Sequence, residues 1–573
     1  MNTLRQIGCL VLLVAASAAS AHAHLVDADS QSTQPKRPWT VLIYAAVDNS
    51  ADMPLIAFVN HVRRAIDDDP GIELLLFIDR SQKHPKRKTF LGDDFTTTRL
   101  YRVRKNSAER LSSGQQFSEI TPTTDSKLNS ADAANVGRFI AWGKEKFPAD
   151  RYALMIYSHA NCRTMCPVER TGDYMGIPEL SEKVSREQRV DFLALELCNM
   201  GGIEIAYQWR PGNGGFEADV LLAIPNAGPP LDWHRAFARI RSPSHEAKKG
   251  PPVDPAAMTA ADFGRLVIEE GYRGRQASGQ RMAHESAGCY DLHQVDAVKR
   301  AVDALSVQLA QAKAKEIVLE LRGAGSDNGA ICYNRDGSNV DLYDLCRRIS
   351  VCDRLPEPVH VAARNAMEAI QRFMIGSFGM KAYKGFEPGN NGAYIVLPSG
   401  KPGCWKEFRW YTPLAGAGKT GGWSFLRDGA TPNNGVVENW FELLDSWFKE
   451  PDDQGGASEP ATRTLIGRYA KGANVIRIEP FDDKLLALPL WWGGMQPLDR
   501  RAGAVFEMQN RREAVFTFTT GSLTVTGHRE LDGTYHKLGS ELAPMESLLA
   551  GEKNSAYRGF GHWASRKKQL FEW

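Results

Sequence analysis

No segment of this sequence is long and apolar enough to cross a bilayer as a helix, which takes roughly 20 residues. The N-terminal run from Ile7 to Ala16 falls short of that, and no later run reaches it. Charge of one sign is missing too: 70 Lys and Arg stand against 68 Asp and Glu. Nothing global therefore points to nucleic acid or to an anionic membrane surface, and binding must be local. There is no D-x-D-x-D-G loop, which excludes an EF-hand; any calcium would have to be held by oxygens dispersed along the chain. His159, Cys162 and Cys166 lie close in sequence, but no second C-x-x-C or H-x-x-x-H completes a tetrahedral zinc set. No metal and no cofactor is assigned, with calcium left open.

What is present begins at the N-terminus. Arg5 precedes the apolar run, and small residues then lead to Ala21-His-Ala23, an A-x-A cleavage pattern. Residues 1–23 are read as a signal peptide, followed by a linker over 24–38. The expectation is an exported chain, periplasmic or secreted, with no membrane span. At 573 residues the chain exceeds what one hydrophobic core usually supports. Export implies oxidising surroundings, so some of the eight cysteines left after the signal are expected to pair, with Cys162/Cys166 and Cys346/Cys352 as local candidates.

Two apolar runs each end on a reactive side chain: Tyr152-Ala-Leu-Met-Ile-Tyr-Ser-His159 and Asp191-Phe-Leu-Ala-Leu-Glu-Leu-Cys198. Each has the length and character of a buried strand, and the polar stretch between them suffices for a parallel crossover. Parallel neighbours would bring His159 and Cys198 together at the C-terminal edge of a sheet. Ligands bind at that edge in open α/β folds, and a thiol beside an imidazole is a nucleophile with its base. Asn199-Met-Gly-Gly reads as a tight turn into a helix, whose N-terminus would favour a thiolate. Upstream, Trp39 to Ala46 and Ile72 to Asp79 are further buried strands, and Val47-Asp-Asn-Ser50 is a turn with capping chemistry. Ala131 to Lys146 is an amphipathic helix capped by Ser130 and stopped at Phe147-Pro148. Alternating strand and helix predict a parallel sheet covered on both faces.

These residues carry a family resemblance. Trp39-Thr-Val-Leu-Ile-Tyr with Asp48-Asn49, Phe139-Ile-Ala-Trp before Phe147-Pro-Ala-Asp150, the histidine strand, and Leu195-Glu-Leu-Cys-Asn-Met200 resemble the clostripain family of cysteine peptidases. The likeness continues through Ala287 to Leu292, Val340 to Leu345, Gly392 to Pro398 and Trp423 to Leu426. It covers residues 39–449. The resemblance implies an α/β fold, a caspase-like three-layer α/β/α sandwich with a mostly parallel central sheet. It also implies a catalytic dyad of His159 as base and Cys198 as nucleophile, cutting protein or peptide substrates after Arg or Lys. The oxyanion would be held by the backbone N–H groups of Ala160 and Cys198.

Two positions depart from the family pattern. Ala160 stands where glycine is usual, and would be strained if that position needs positive φ. Glu196 stands where the family has the aspartate that holds the basic P1 side chain; it keeps the charge but reaches one methylene further. Two other classes fit these residues: a binding protein on a peptidase scaffold whose dyad no longer works, and a Cys/His hydrolase of another acyl or peptidoglycan substrate. The polar loop from Asn161 to Gly172, with Arg163 and Arg170, and the loop from Arg241 to Pro255, with Lys248-Lys249-Gly250, are readable as cleavage sites or as inert surface. Beyond a linker at 450–462, residues 463–573 are expected to form a small β-rich C-terminal appendage. In it Ala514–Thr519 and Ser522–Thr526 pair as a hairpin around Thr520-Gly521, and Leu488-Pro-Leu-Trp-Trp492 is buried packing or a binding surface.

Overall fold

Apolar side chains alternate to both sides of the segment Arg37–Val47, so it can be satisfied only with a layer packed on each face. In the computed structural model it is strand β1, near the middle of a nine-stranded sheet. The structure describes residues 36–449 and 464–538 except for short stretches, the longest being 242–250, 278–284 and 414–421. The expected signal peptide, residues 24–35 of the first linker, the second linker, Lys248-Lys249-Gly250 and Trp491-Trp492 lie outside the described residues. The chain divides into two compact units, Met1–Gly456 and Ala457–Trp573.

The remaining strands of the first unit's sheet are β2 (Ile72–Arg80), β3 (Thr98–Arg104), β4 (Ser107–Leu111), β5 (Ala149–Tyr157), β6 (Val190–Glu196), β7 (Ala218–Ala223), β8 (Ser286–Asp291) and β9 (Met374–Gly379). Their order is β9-β8-β7-β6-β5-β1-β2-β3-β4. The pairs β2/β1, β1/β5, β5/β6 and β6/β7 are parallel, and the outer pairs are antiparallel. Parallelism is thus confined to the inner strands, where crossovers have helices to carry them. From β1 the chain first crosses to β2, on one side; from β5 it runs through β6 and β7 on the other. The direction of winding reverses between β1 and β5, and the crevice at their C-terminal ends is the fold's natural ligand site.

Alternation sorts the core into two layers. Leu42, Tyr44, Ala46, Leu154, Ile156, Leu193 and Leu195 pack on one face with α2 (Ala133–Lys146) and α7 (Glu357–Phe373). Val41, Ile43, Ala45, Met155, Tyr157, Phe192 and Ala194 pack on the other with α1 (Asp52–Ala65), α4 (Trp233–Arg239) and α5 (Ala260–Ala277). Between them in sequence lies α3 (Ile203–Gln208), and α6 (Val295–Gln311) adds to the first layer. This is the three-layer α/β/α sandwich. The cap of α2 is Asp132, which accepts from Ala134 N–H at 3.0 Å. Ser130 instead donates to Asp79 Oδ2, 2.8 Å away, because a buried carboxylate needs its hydroxyl more than an exposed helix end does.

The loop from Asn161 to Gly172 is β structure. Ala160–Asn161, Thr164–Val168 and Asp173–Gly176 form a small antiparallel sheet. Arg163 stacks on Trp410 at 4.8 Å and Arg170 lies 3.5 Å from Asp48, so neither arginine is idle surface. The expected local disulfides do not form. Cys166 and Cys346 are free thiols buried in the core, and Cys162 and Cys352 are only partly buried.

The second unit is a closed barrel of eight antiparallel strands between Gly467 and Lys537. Its inside is filled by Tyr469, Ile476, Ile478, Leu485, Phe506, Phe516, Phe518, Leu523 and Val525. Arg511–Thr519 and Ser522–Thr526 pair around Thr520-Gly521, with Gly521 at φ 85°.

Between β1 and α1 the chain is held by a buried ion pair. Arg80 at the end of β2 donates from Nε and Nη2 to the two oxygens of Asp52, at 2.9 and 2.8 Å, with both side chains wholly inaccessible. Asp52→Ala would leave a buried guanidinium without its carboxylate, which costs about 3–5 kcal/mol. Urea unfolding of the full chain should show a loss of that order; a change within 0.5 kcal/mol, the range of ordinary surface substitutions, would contradict the role given to this pair.

Candidate active site

The register of β5 against β6 pairs Leu195 with Ile156 and Glu196 with Tyr157. His159 and Cys198 are each two residues further on, at matched positions past two adjacent parallel strands, and His159 borders the point where the winding reverses. Both keep a partly exposed edge. His159 Nε2 lies 2.8 Å from Ser50 Oγ, and the Cys198 thiol donates to the Gly228 carbonyl over 3.9 Å.

Asn49 builds the crevice. Its amide nitrogen donates to Ala46 O at 3.1 Å, Pro167 O at 2.7 Å and Ser158 Oγ at 3.2 Å, while its Oδ1 accepts from Ala51 N–H at 2.9 Å. Ser158 Oγ in turn donates to Ala46 O at 2.5 Å. One side chain thereby joins the end of β1, the residue before His159 and the strand beyond it. Asp48 turns inward, 3.3 Å from Lys127, and burial pushes its carboxyl up to about 6 against the pull of that lysine.

The turn after Cys198 is equally constrained. Asn199 takes the left-handed conformation at φ 59°, uncommon for a residue with a side chain. Asn199 N–H donates to Asn226 O, Met200 N–H to Ile224 O, and Tyr394 OH to Asn199 O at 2.6 Å. A Cβ on Gly201 would meet Pro225 at 2.7 Å, and one on Gly202 would meet Tyr394 at 2.7 Å, so both positions need glycine for close approach. The helix expected to activate the thiol is only Ile203–Gln208 and starts five residues past Cys198. Burial, the largest influence, pushes the Cys198 thiol up, against a backbone hydrogen bond at Gly228. Burial likewise lowers His159, and the Glu169 carboxylate partly restores it. Both shifts favour the neutral thiol and the neutral imidazole over the thiolate expected from a helix dipole.

Ala160 is absent from the non-glycine residues at positive φ among the described residues, which are Leu91, Asn106, Cys166, Asn199 and Lys313. Alanine therefore carries no backbone strain there. Glu196 is buried. Its Oε1 accepts from Trp233 Nε1 at 2.6 Å and its Oε2 from Leu231 N–H at 3.0 Å. Desolvation raises it to about 7, outweighing those two hydrogen bonds and the pull of Arg275. By this grip Glu196 fixes the segment that brings Gly228 to the thiol.

Three contributors escaped the sequence reading: Ser50, Gly228 and Glu169. Glu169 pairs with His84 Nε2 at 2.9 Å and Lys83 at 3.5 Å. Burial works against its charge, but the hydrogen bond from His84 and the charge of Lys83 hold it below the ordinary range. Among the described residues no three His, Cys, Asp or Glu side chains are grouped to hold a metal ion, and no helix is long and apolar enough to cross a membrane.

The raised carboxyl of Glu196 makes stability depend on pH. In the unfolded chain it ionises near 4.5, in the folded chain near 7. Between these values the native state holds the extra proton, so its stabilising contribution is complete at acid pH and is lost as pH rises through about 7. Glu196→Gln cannot ionise. Urea titrations at pH 5 and pH 8 should show wild type losing more stability over this interval than the variant; parallel losses would contradict the assignment.

Comparison with known proteins follows the same outline. A model of the clostripain family matches residues 43–447. Clostripain of Hathewaya histolytica is 32% identical over 468 residues, which is 73% of this chain and 88% of that protein. Two solved structures are similar at lower levels. An inactive zymogen C11 protease from Parabacteroides distasonis has a TM-score of 0.47 and 16% identity, over 68% of this chain and 99% of that one. A secreted C11 cysteine protease from Bacteroides thetaiotaomicron, bound to an irreversible peptide inhibitor, has a TM-score of 0.43 and 17% identity, over 65% and 96%. The match over residues 43–447, which takes in the end of β1 and both His159 and Cys198, shows that the chain belongs to the clostripain family of cysteine peptidases.

Proposed function

We propose that this chain is an exported cysteine endopeptidase in which Cys198 and His159 form the dyad and the scissile bond follows Arg or Lys. The observation that carries the reading is the register of β5 and β6, which leaves an imidazole and a thiol at matched positions past adjacent strand ends. Substrate entry displaces the Gly228 carbonyl from the thiol, whose proton passes to His159. Sulfur then attacks the scissile carbonyl, and the oxyanion is met by the backbone N–H groups of Cys198 and Ala160. His159 returns the proton to the leaving amine as the C–N bond breaks. A water, deprotonated by His159, hydrolyses the thioester. Export is supported by the N-terminal sequence pattern.

Glu196 is the carboxylate proposed for the basic P1 side chain. It shares the strand face of Cys198 by alternation, and two of about four acceptor positions on its oxygens are filled by Trp233 and Leu231. An arriving guanidinium would draw off its proton.

Cys198→Ala and His159→Ala should each abolish cleavage of fluorogenic peptides while circular dichroism stays unchanged. The double variant should be scarcely worse than either single one, since the two act as a unit. Retained activity in either would remove the dyad.

Selectivity is tested separately with a panel of every P1 residue. Glu196→Gln should lower kcat/KM for Arg and Lys substrates about ten- to a hundredfold, the worth of a hydrogen bond to a charged group, and far less for neutral ones. Preference for Arg should grow as pH rises through about 7, where the carboxyl ionises. Glu196→Asp should keep the basic preference. A wild-type enzyme indifferent to P1 charge would confine Glu196 to holding the Leu231–Trp233 segment.

A further inference from the structure

Resting on the dyad reading, we infer that Ser50 is a positioning residue for His159: its hydroxyl accepts the Nε2 proton and so assigns to Nδ1 the role of taking the Cys198 proton. The family's chemistry is usually described with two side chains, and Ser50 lies far from both in sequence. The geometry that joins them is local and rigid. Ser50 Oγ stands 2.8 Å from Nε2, and the residues before and after it are fixed. Asn49 is bonded to Ala46, Pro167 and Ser158, and Ala51 N–H is bonded back to Asn49 Oδ1. Ser158, the neighbour of the histidine, is tied to the same Ala46 carbonyl. Ser50 and His159 are thus held by one network, across the point where the sheet reverses its winding.

A neutral imidazole has one donor nitrogen and one acceptor nitrogen, and the partner of one decides the role of the other. A base must keep its lone pair toward the thiol. The hydroxyl of Ser50 is placed to occupy Nε2, and in that arrangement the ring has one productive tautomer. When the Cys198 proton moves to Nδ1, the imidazolium keeps its Nε2–H against Ser50 Oγ, and this hydrogen bond strengthens as the ring becomes charged. The charged and titratable groups that act on the ring are Glu169 and His84, with Lys83 paired to Glu169. Glu169 favours the imidazolium through charge. Ser50 adds what charge alone cannot, a choice between the two nitrogens.

The test compares Ser50→Ala and Ser50→Thr in the full chain. Ser50→Ala should lower kcat by roughly ten- to a hundredfold, the scale of one hydrogen bond to a charged group, with KM little changed. Its acid limb in the pH profile of kcat/KM should move to lower pH, since the imidazolium loses an acceptor. Ser50→Thr keeps the hydroxyl and should recover most of the rate. A second readout is independent of turnover: 15N shifts of histidine-labelled protein, with the His159 signals assigned by their loss in His159→Gln. Wild type and Ser50→Thr should show the Nε2–H tautomer, and Ser50→Ala a mixture. Glu169→Gln should move the His159 titration without mixing the tautomers. An unchanged tautomer in Ser50→Ala, or equal damage from Ala and Thr, overturns the inference. If wild type cleaves no peptide, the dyad reading fails by itself, and the 15N spectra still decide whether Ser50 sets the tautomer.

Discussion

Everything at the active edge depends on one side-chain amide. Asn49 meets three acceptors with its two amide hydrogens, so its nitrogen is shared among the end of β1, the residue ahead of His159 and the strand that follows the histidine. The Ala46 carbonyl and the Ser158 hydroxyl are buried and the Pro167 carbonyl partly so, and an unsatisfied buried polar atom costs on the order of 1–3 kcal/mol. The network therefore closes as a unit. Where β1 and β5 end, the sheet stops supplying hydrogen bonds, and Asn49 continues the cross-strand connection by other means. A crevice at such a reversal opens because the crossovers leave in opposite directions. Here the amide keeps it from being loose.

The other wall is held by a different balance. Cys198 sits before a left-handed Asn199 and a pair of glycines that approach Pro225 and Tyr394 too closely for any Cβ. Glu196 fixes the Leu231–Trp233 segment, which carries Gly228 toward the sulfur. Both reactive groups are consequently pushed toward their uncharged forms, in surroundings that withdraw water from them. Low polarity at rest makes each later charge more sensitive to what substrate brings, and a cationic side chain brings the most.

The strands were readable because two-sided burial leaves a signature in sequence: β1, β2, β5 and β6 are near-continuous apolar runs, and no other environment explains them. The matched positions of His159 and Cys198 follow from the same runs. What was not readable came from segments distant in sequence that converge only after folding. Gly228 and Glu169 sit in connections whose composition is that of any loop. Ser50 stood in a turn identified for its capping chemistry, yet its hydroxyl serves the histidine. Ser130 and Asp132 are both good caps, and only the presence of buried Asp79 beneath Ser130 decides between them. The cysteine pairs were inferred from compartment rather than from geometry; Cys166 and Cys346 point into packed interior, which no spacing rule reports. Alternation assigned Glu196 to a face, but its tie to Trp233 depends on a helix 37 residues away.

The barrel of the second unit closes on itself, with the first strand, Gly467–Lys471, hydrogen-bonded to the last, Gly533–Lys537. A closed ring has no strand left open at either side, and an open edge is the template on which β proteins stack into aggregates. A peptidase works among fragments of its own making, many of them extended and ready to add to any free edge. A module with no edge can be carried in that company without recruiting it.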